Sequence, residues 1–397
     1  MLRSFRVSNH RSLRDEQELL LMPQYEGDGA VVPVAAVYGA NASGKSNLLD
    51  ALFWMRSAVR ESFRAWEAGS GIPRTRYRLD KDESRPSEYV VDLILDGVQW
   101  VYGFTVDSAT VLEEWLHTYP HGRQRVVFER HGMAVEFGST VPERRGRAEG
   151  LRGFLRDNAL VLSVVAQSAQ TEVRPVYTWF RDRLVKPAKW SDGLAFLFAA
   201  ARRRPEFVEL LRVADFGIQD VSVEEPRQQS ELFRPPVVRI LHEPAGVPLE
   251  PEDESAGTLA WAELLFLTLE VLDAGALMVI DEIDASLHPR LTARLVELFR
   301  SPGANPKGAQ LLFTTHDATL LGTGLQGEVL RRDEIWFVEK TDGASRLYPL
   351  SDFHPRKGEN RERRYLAGSY GAVPVVFEDS LVKSVLAGRA DGDDGPA

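Results

Sequence analysis

Eight consecutive residues, Gly39-Ala40-Asn41-Ala42-Ser43-Gly44-Lys45-Ser46, have the types and order of a phosphate-binding loop. Glycines at fixed places in such a loop let backbone N–H groups turn inward onto phosphate oxygens. Lys45 is placed to reach the β- and γ-phosphates of a nucleotide, and the Ser46 hydroxyl to ligate Mg²⁺. Gly39, Asn41, Ser43, Gly44 and Asn47 complete the nucleotide contacts expected of this loop. A helix starting at its end would aim its positive pole at the anion.

A second group of reactive residues follows much later. The apolar run Leu277-Met278-Val279-Ile280 reads as a buried strand and delivers Asp281 and Glu282 at its carboxyl end. Asp281 suits a place in a Mg²⁺ shell, and Glu282 suits a general base that takes a proton from an attacking water. Lys45 and Asp281 stand 236 residues apart, so something large lies between the first strand–helix unit and the catalytic strand. His316 ends another apolar run, Leu311-Leu312-Phe313-Thr314-Thr315, where it could reach a γ-phosphate or orient the water. Ser255 and Gly257, in Glu254-Ser255-Ala256-Gly257-Thr258, open an amphipathic helix, with Ser255 26 residues before Asp281. A small polar turn at a helix start is a second anion site, although a plain Ser N-cap has the same sequence.

These residues need a scaffold of particular strands and helices. Phe5 and Val7 alternate with polar residues, and Leu19 to Leu21 resume the apolar pattern after a charged turn, which predicts a hairpin. Residues 31 to 37 are almost wholly apolar and precede the phosphate loop, as a buried strand should. Leu48, Leu49, Leu52 and Met55 then recur at helical spacing. Residues 88 to 106 alternate around Asp96-Gly97, a strong hairpin signal, with further strands expected at 114–119 and 125–128. From about Glu143 the texture changes, and residues 150 to 215 are rich in Ala, Leu and Arg and lack alternation, so helices are expected there. Strands at 277–280, 310–315 and 334–339, with helices at 257–272 and 289–300, complete the pattern.

Composition narrows the field. The chain has 397 residues, no cysteine and a formal net charge of −10. Its length exceeds what one core usually supports, so two lobes or a large insertion are expected. Zero Cys excludes a disulfide framework, a thiolate zinc site, a cysteine zinc hook and a thiol nucleophile. No run of about 20 apolar residues spans a membrane, and the first 20 residues lack a signal peptide's apolar core, so a cytoplasmic protein is expected. The acidic balance means that nucleic acid could be held only by a local basic patch. Arg144-Arg145-x-Arg147, Arg202-Arg203-Arg204 and Arg361-x-Arg363-Arg364 are such clusters, though ion-paired surface is the simpler reading of each. The aromatic residues Tyr177, Trp179, Phe180, Phe196 and Phe198 read most simply as helical core.

The motif order resembles that of ABC-class ATPases, in the soluble branch of chromosome-maintenance, RecF and overcoming-lysogenization-defect proteins. Within that branch it resembles the bacterial abortive-infection type of AAA ATPase. The resemblance rests on Ser8-Asn9-His10-Arg11-Ser12, the phosphate loop, Glu254 to Thr258, Asp281-Glu282, the turn Asp284 to Pro289, and Thr314-Thr315-His316. It extends to Arg332 to Glu339 and to Arg364 to Pro374, and covers residues 2 to 377. It implies an α/β P-loop head with a β-hairpin lobe and an inserted helical lobe. Residues 1–140 and 236–380 would form the two halves of that head, 141–235 the helical lobe, and 381–397 a flexible tail. It further implies an ATP-sandwiched dimer or higher oligomer, with ATP and Mg²⁺ as ligands. One protomer would supply Lys45, Ser46, Asp281 and Glu282, and the other Ser255 and the helix start behind it.

The same resemblance implies a separate Toprim-like effector nuclease, slow partner-coupled hydrolysis and a role in anti-phage defence. The trigger would be DNA or a phage protein. A RecF-like repair ATPase that binds DNA ends or gaps is the competing reading. A stand-alone P-loop kinase is disfavoured by the long spacing and the signature turn. The signature departs from the Leu-Ser-Gly-Gly-Gln of transporters, and a Q-loop glutamine has only Gln99 and Gln167 as candidates.

Overall fold

The computed structural model describes residues 1–24, 30–168, 171–187, 194–213, 217–224, 236–242, 247–285, 287–325, 327–356 and 358–374. The expected tail at 381–397 lies outside these residues, as does much of the end of the expected helical lobe. In chain order the first elements are β1 (Leu2–Ser8), β2 (Gln17–Leu20), β3 (Val34–Tyr38) and α1 (Lys45–Glu61). Then come β4 (Ser87–Leu95), β5 (Val98–Val106), β6 (Val111–Tyr119), β7 (Arg125–His131) and β8 (Ala134–Phe137). Short helices α2 (Arg144–Leu151), α3 (Val161–Val165) and α4 (Arg174–Thr178) lead into β9 (Leu184–Val185). Helices α5 (Leu194–Ala201) and α6 (Pro205–Val213) precede β10 (Ile218–Glu224), β11 (Val237–His242) and β12 (Val247–Leu249). The last stretch is α7 (Ala256–Ala274), β13 (Leu277–Ile280), α8 (Pro289–Arg300), β14 (Gln310–Thr315), β15 (Ile335–Thr341), β16 (Ala344–Pro349) and α9 (Arg361–Leu366).

The fold is α/β. One sheet has the order β16-β15-β3-β14-β13-β9, parallel throughout except for the edge strand β16. Strands next to one another here are far apart in sequence: β3 pairs with β14, Val34 facing Leu311 and Tyr38 facing Thr315. The second sheet, β2-β1-β4-β5-β6-β7-β8, is antiparallel throughout, and Asp96-Gly97 makes the two-residue turn between β4 and β5. Asp96 at φ 51° and Gly97 at φ 77° supply the two left-handed residues that a two-residue turn of this hand requires.

Alternation along the parallel strands builds two cores. Ala35, Val37, Leu277, Val279 and Leu312 face α1 and the antiparallel sheet, where they meet Leu48, Leu52, Met55, Tyr89 and Phe104. Val34, Ala36, Met278, Ile280, Leu311 and Phe313 face the other way, onto α7, α8 and α9 through Leu265, Leu272, Leu295, Phe299 and Tyr365. This is why β3, β13 and β14 read as unbroken apolar runs: both faces are covered.

The expected helical lobe differs from its sequence reading. Its helices are short, and Leu184–Val185 forms a strand that pairs parallel to β13, at the edge of the nucleotide sheet. Two residues are too few to show alternation, so this strand carried no periodic signal. Phe196 is also not core; it is 52% exposed, whereas Trp179, Phe180 and Phe198 are buried as expected.

Candidate nucleotide site

The phosphate loop joins β3 to α1, and its backbone is forced into an unusual shape. Gly44 caps α1 at φ 112°, and Ala42 sits at φ 61°. A side chain at Gly44 would meet Ser345 and Ser12, and one at Gly39 would lie 2.6 Å from Ser43 Oγ, so both positions need glycine. Ser345 Oγ donates to Ser43 O at 2.5 Å and accepts from Ser12 Oγ at 2.7 Å, and Asn47 Nδ2 donates to Ser12 Oγ at 2.6 Å. The loop is thus braced from β16 and from the turn after β1. Asn47 takes part in this bracing, while Asn41 and Ser46 are exposed.

The buried Lys45 ammonium donates to Gly39 O at 2.7 Å and Ala40 O at 3.0 Å, and lies 3.5 Å from His316 Nδ1. Burial lowers its pKa, and the carboxylates of Glu282, Asp281 and Asp284 push it back up. His316 Nε2 faces Glu282 Oε1 at 3.9 Å. Lys45 on one ring nitrogen and a carboxylate on the other favour the tautomer protonated at Nε2. The backbone N–H of His316 donates to Asp284 Oδ1 at 3.2 Å. The ends of β3, β13 and β14 therefore bring Lys45, Asp281, Glu282 and His316 into one cluster at the carboxyl edge of the parallel sheet, where ligands of open α/β sheets bind.

Glu282 has φ 51°, in the left-handed region where a side chain is strained. Thr314 holds it there: its Oγ1 accepts from Glu282 N at 2.7 Å and donates to Asp281 Oδ1 at 2.6 Å. Thr314 is fully buried, and sequence reading treated it only as part of the run leading to His316.

Ser46 and Asp281 line one cleft of about 170 Å³ with Arg11, Asn47, Leu49, Asp50, Phe53, Lys186 and Val279. A hydroxyl and a carboxylate in one cleft are the hard oxygen donors that Mg²⁺ takes together with phosphate oxygens. Ser43 Oγ is buried beside the loop with no hydrogen-bond partner, a polar atom free to meet a phosphate oxygen. The residues present fit a nucleoside triphosphate with Mg²⁺. Arg11 and Asp50 were missed as site residues. Arg11 Nε donates to Asp50 Oδ2 at 2.5 Å, and the fully buried His10 reaches the same oxygen through Nε2 at 2.9 Å. The signal was the first-strand motif itself, which says nothing alone about its fold against α1.

Ser255 and Gly257 lie elsewhere. Ser255 caps α7, its Oγ accepting from Thr258 N at 3.1 Å. Both residues are exposed, and Gly257 opens onto a different cavity of about 900 Å³, lined by α8 and by residues that include Leu325, Glu328 and Arg331. None of the residues lining the 170 Å³ cleft lines this one. Neither glutamine candidate reaches the phosphate cluster through a described hydrogen bond. Gln99 donates to Asp92 Oδ2 on the antiparallel sheet, and Gln167 to Tyr177 OH.

The basic clusters are largely engaged. Arg147 pairs with Glu172, Arg204 with Glu270 and Asp273, Arg361 with Glu328, and Arg364 with Glu359. No helix among the described residues is long and apolar enough to cross a membrane.

No curated protein matches the sequence. Among solved structures, the chain is similar to an Smc head bound to the C-winged-helix domain of ScpA, at 14% identity and TM-score 0.47, over 89% of this chain and 99% of that one. It is also similar to the SMC head domain from Thermotoga maritima, at 16% identity and TM-score 0.44, over 88% of this chain and 98% of that one. A family model described as "AAA domain, putative AbiEii toxin, Type IV TA system" matches residues 34–322, from β3 through the phosphate loop to the turn after His316. With more than half its length matched, and the phosphate loop, Asp281-Glu282 and His316 gathered at one sheet edge, the chain belongs to this AAA-domain family.

Proposed function

We propose that this protein is an ATPase that closes as a head-to-head dimer, or a higher oligomer, around ATP and uses that closure to control a separate effector nuclease in anti-phage defence. The observation that carries the reading is a division of parts. Lys45, Asp281, Glu282 and His316 converge, whereas Gly257 lines a different cavity of the same chain and Ser255, two residues before it, is exposed. A phosphate site completed by a second copy accounts for both facts. Two-fold symmetry then makes two equal composite sites.

In this reading the loop N–H groups and Lys45 hold the β- and γ-phosphates, and the N-terminus of α7 from the other protomer closes over the γ-phosphate. Mg²⁺ at Ser46 and Asp281 would neutralise phosphate charge and orient the β- and γ-oxygens. Glu282 accepts the proton of the attacking water, and the Nε2–H of His316 orients Glu282 and the terminal phosphate. Loss of that phosphate removes the group that the facing helix holds, so hydrolysis opens the dimer. Control of a Toprim-like effector rests on the family resemblance, and the toxin–antitoxin wording of the family's description fits a paired partner.

The test is Glu282→Gln. ATP hydrolysis should fall by about 10²–10⁴-fold, the scale of a lost general base, while ATP-dependent assembly on gel filtration should increase. A variant that hydrolyses normally and gains no ATP-dependent assembly sinks the proposal. Co-purification with the product of the adjacent gene, with and without ATP, tests the effector. ATPase activity stimulated by DNA with steep salt dependence would point instead to the RecF-like role.

A further inference from the structure

Strand β9 delivers one more cation to the phosphate site. It pairs parallel to β13, with Leu184 facing Leu277 and Val185 facing Met278. Parallel pairing runs both chains toward the same sheet edge, and the register puts the residue after Val185 level with Val279, two residues before Asp281. That residue is Lys186. It lines the 170 Å³ cleft together with Ser46 and Asp281, and its Nζ lies 5.4 Å above the ring of Phe53 on α1. The other charges of the cleft are already engaged: Arg11 with Asp50, Asp50 also with His10, and Asp281 with the Thr314 hydroxyl. The strand order β3-β14-β13-β9 puts Lys186 beyond Asp281 as seen from the phosphate loop.

We propose that Lys186 is a specificity residue that reads the terminal phosphate of a bound nucleoside triphosphate, donating to a γ-oxygen from the cleft it shares with Ser46 and Asp281. This rests on the nucleotide reading above. Lys186 contributes charge and hydrogen bonds, not acid–base chemistry. Phe53 supports the ammonium with its ring face, 5.4 Å away. The consequence is discrimination: a triphosphate gains the contact and a diphosphate does not. A lysine here could thus couple closure of the site to the presence of the γ-phosphate.

The experiment compares the affinities of full-length protein for adenylyl imidodiphosphate and for ADP, with Mg²⁺ constant, by calorimetry. It needs no turnover. Lys186→Met keeps the aliphatic stem on Phe53 and removes the charge. It should lose about 10–100-fold in triphosphate affinity, the range for a hydrogen bond to a charged group, with ADP affinity changed less than about threefold. Lys186→Arg should restore most of the preference. Equal losses for both nucleotides, or none, overturn the proposal. So does a loss that saturating Mg²⁺ repairs, because the lysine would then act on the metal. Thermal melting without nucleotide checks that Lys186→Met folds. If the wild-type protein binds neither nucleotide, the nucleotide reading itself fails, a result distinct from failure of Lys186 alone.

Discussion

Thr314 uses one hydroxyl for two tasks, and this fixes the geometry of both acidic residues. It donates to Asp281 Oδ1 and accepts from Glu282 N, and so holds Glu282 at its left-handed φ of 51°. Thr314→Val keeps the shape and removes both contacts. The loop at Glu282 should then relax toward ordinary backbone angles, and the general base should leave its line with the γ-phosphate. We expect kcat for ATP to fall about 10–100-fold, a barrier change of about 1.4–2.7 kcal/mol, with KM nearly unchanged, because Thr314 itself is fully buried. Thr314→Ser, which keeps the hydroxyl, should recover most of the rate. Steady-state kinetics on the three proteins read this directly. Equal rates for Thr314→Val and wild type would mean that the left-handed turn holds without the hydroxyl.

At the scale of elements, the insertion between the two halves of the nucleotide sheet is anchored by one buried carboxylate. Glu114 on β6 accepts from the backbone N–H of Val161 at 2.6 Å and of Leu162 at 2.9 Å, capping the start of α3. It also accepts from Tyr102 OH at 3.0 Å and lies 3.8 Å from Arg130. Both charged side chains are fully buried. Burial pushes the Glu114 carboxyl up, while Arg130, the two N–H groups and Tyr102 hold it down. Glu114→Ala leaves Arg130 without its carboxylate and α3 without its cap. It should cost about 3–5 kcal/mol, as breaking a buried pair does, read as a lower urea midpoint. Glu114→Gln, which retains acceptor capacity, should lose less. Because α3 leads through α4 to β9, loosening it should also disturb Lys186.

The C-terminal block is likewise an element-scale device. Tyr365 and Tyr370 stack on Phe337 at 5.7 and 5.6 Å, and Tyr365 packs edge-on against Tyr38 at 5.5 Å, beneath the strand that carries the phosphate loop. Its residues support β3 and β15.

For the whole molecule, the separation of Ser255 from the phosphate cluster predicts complementation. Lys45→Ala should abolish nucleotide binding on its own protomer, and Ser255→Arg should block the site it completes on its partner. Each variant alone should be inactive. A mixture should form heterodimers in which one composite site lacks both functions and the other retains both. Hydrolysis should recover to at most about one quarter of wild type, since random pairing makes half the dimers mixed and each then has one working site of two. Titrating one variant into the other in an ATPase assay checks this. No recovery at any ratio, with both variants folded, would place Ser255 and Lys45 in the same protomer's site.

The sequence alone determined the local chemistry. The phosphate loop has a fixed spacing that only a strand–turn–helix unit satisfies, and β13, α8 and β14 run over the residues expected, because both-face burial and helix capping are written in neighbouring residues. What the tertiary structure decided is what distant segments do together. Arg11 reaches Asp50 because β1 packs near α1, and Ser345 braces a loop three hundred residues earlier in the chain. Lys186 enters the cleft on a two-residue strand too short to show a period. Thr314 belongs to the Thr-Thr-His segment in the sequence, but what its hydroxyl does is set by the parallel neighbour that puts it against Asp281. Parallel pairing is non-local, so local pattern cannot specify which strand ends share an edge; hydrogen bonding between strands fixes that only when the chain has folded.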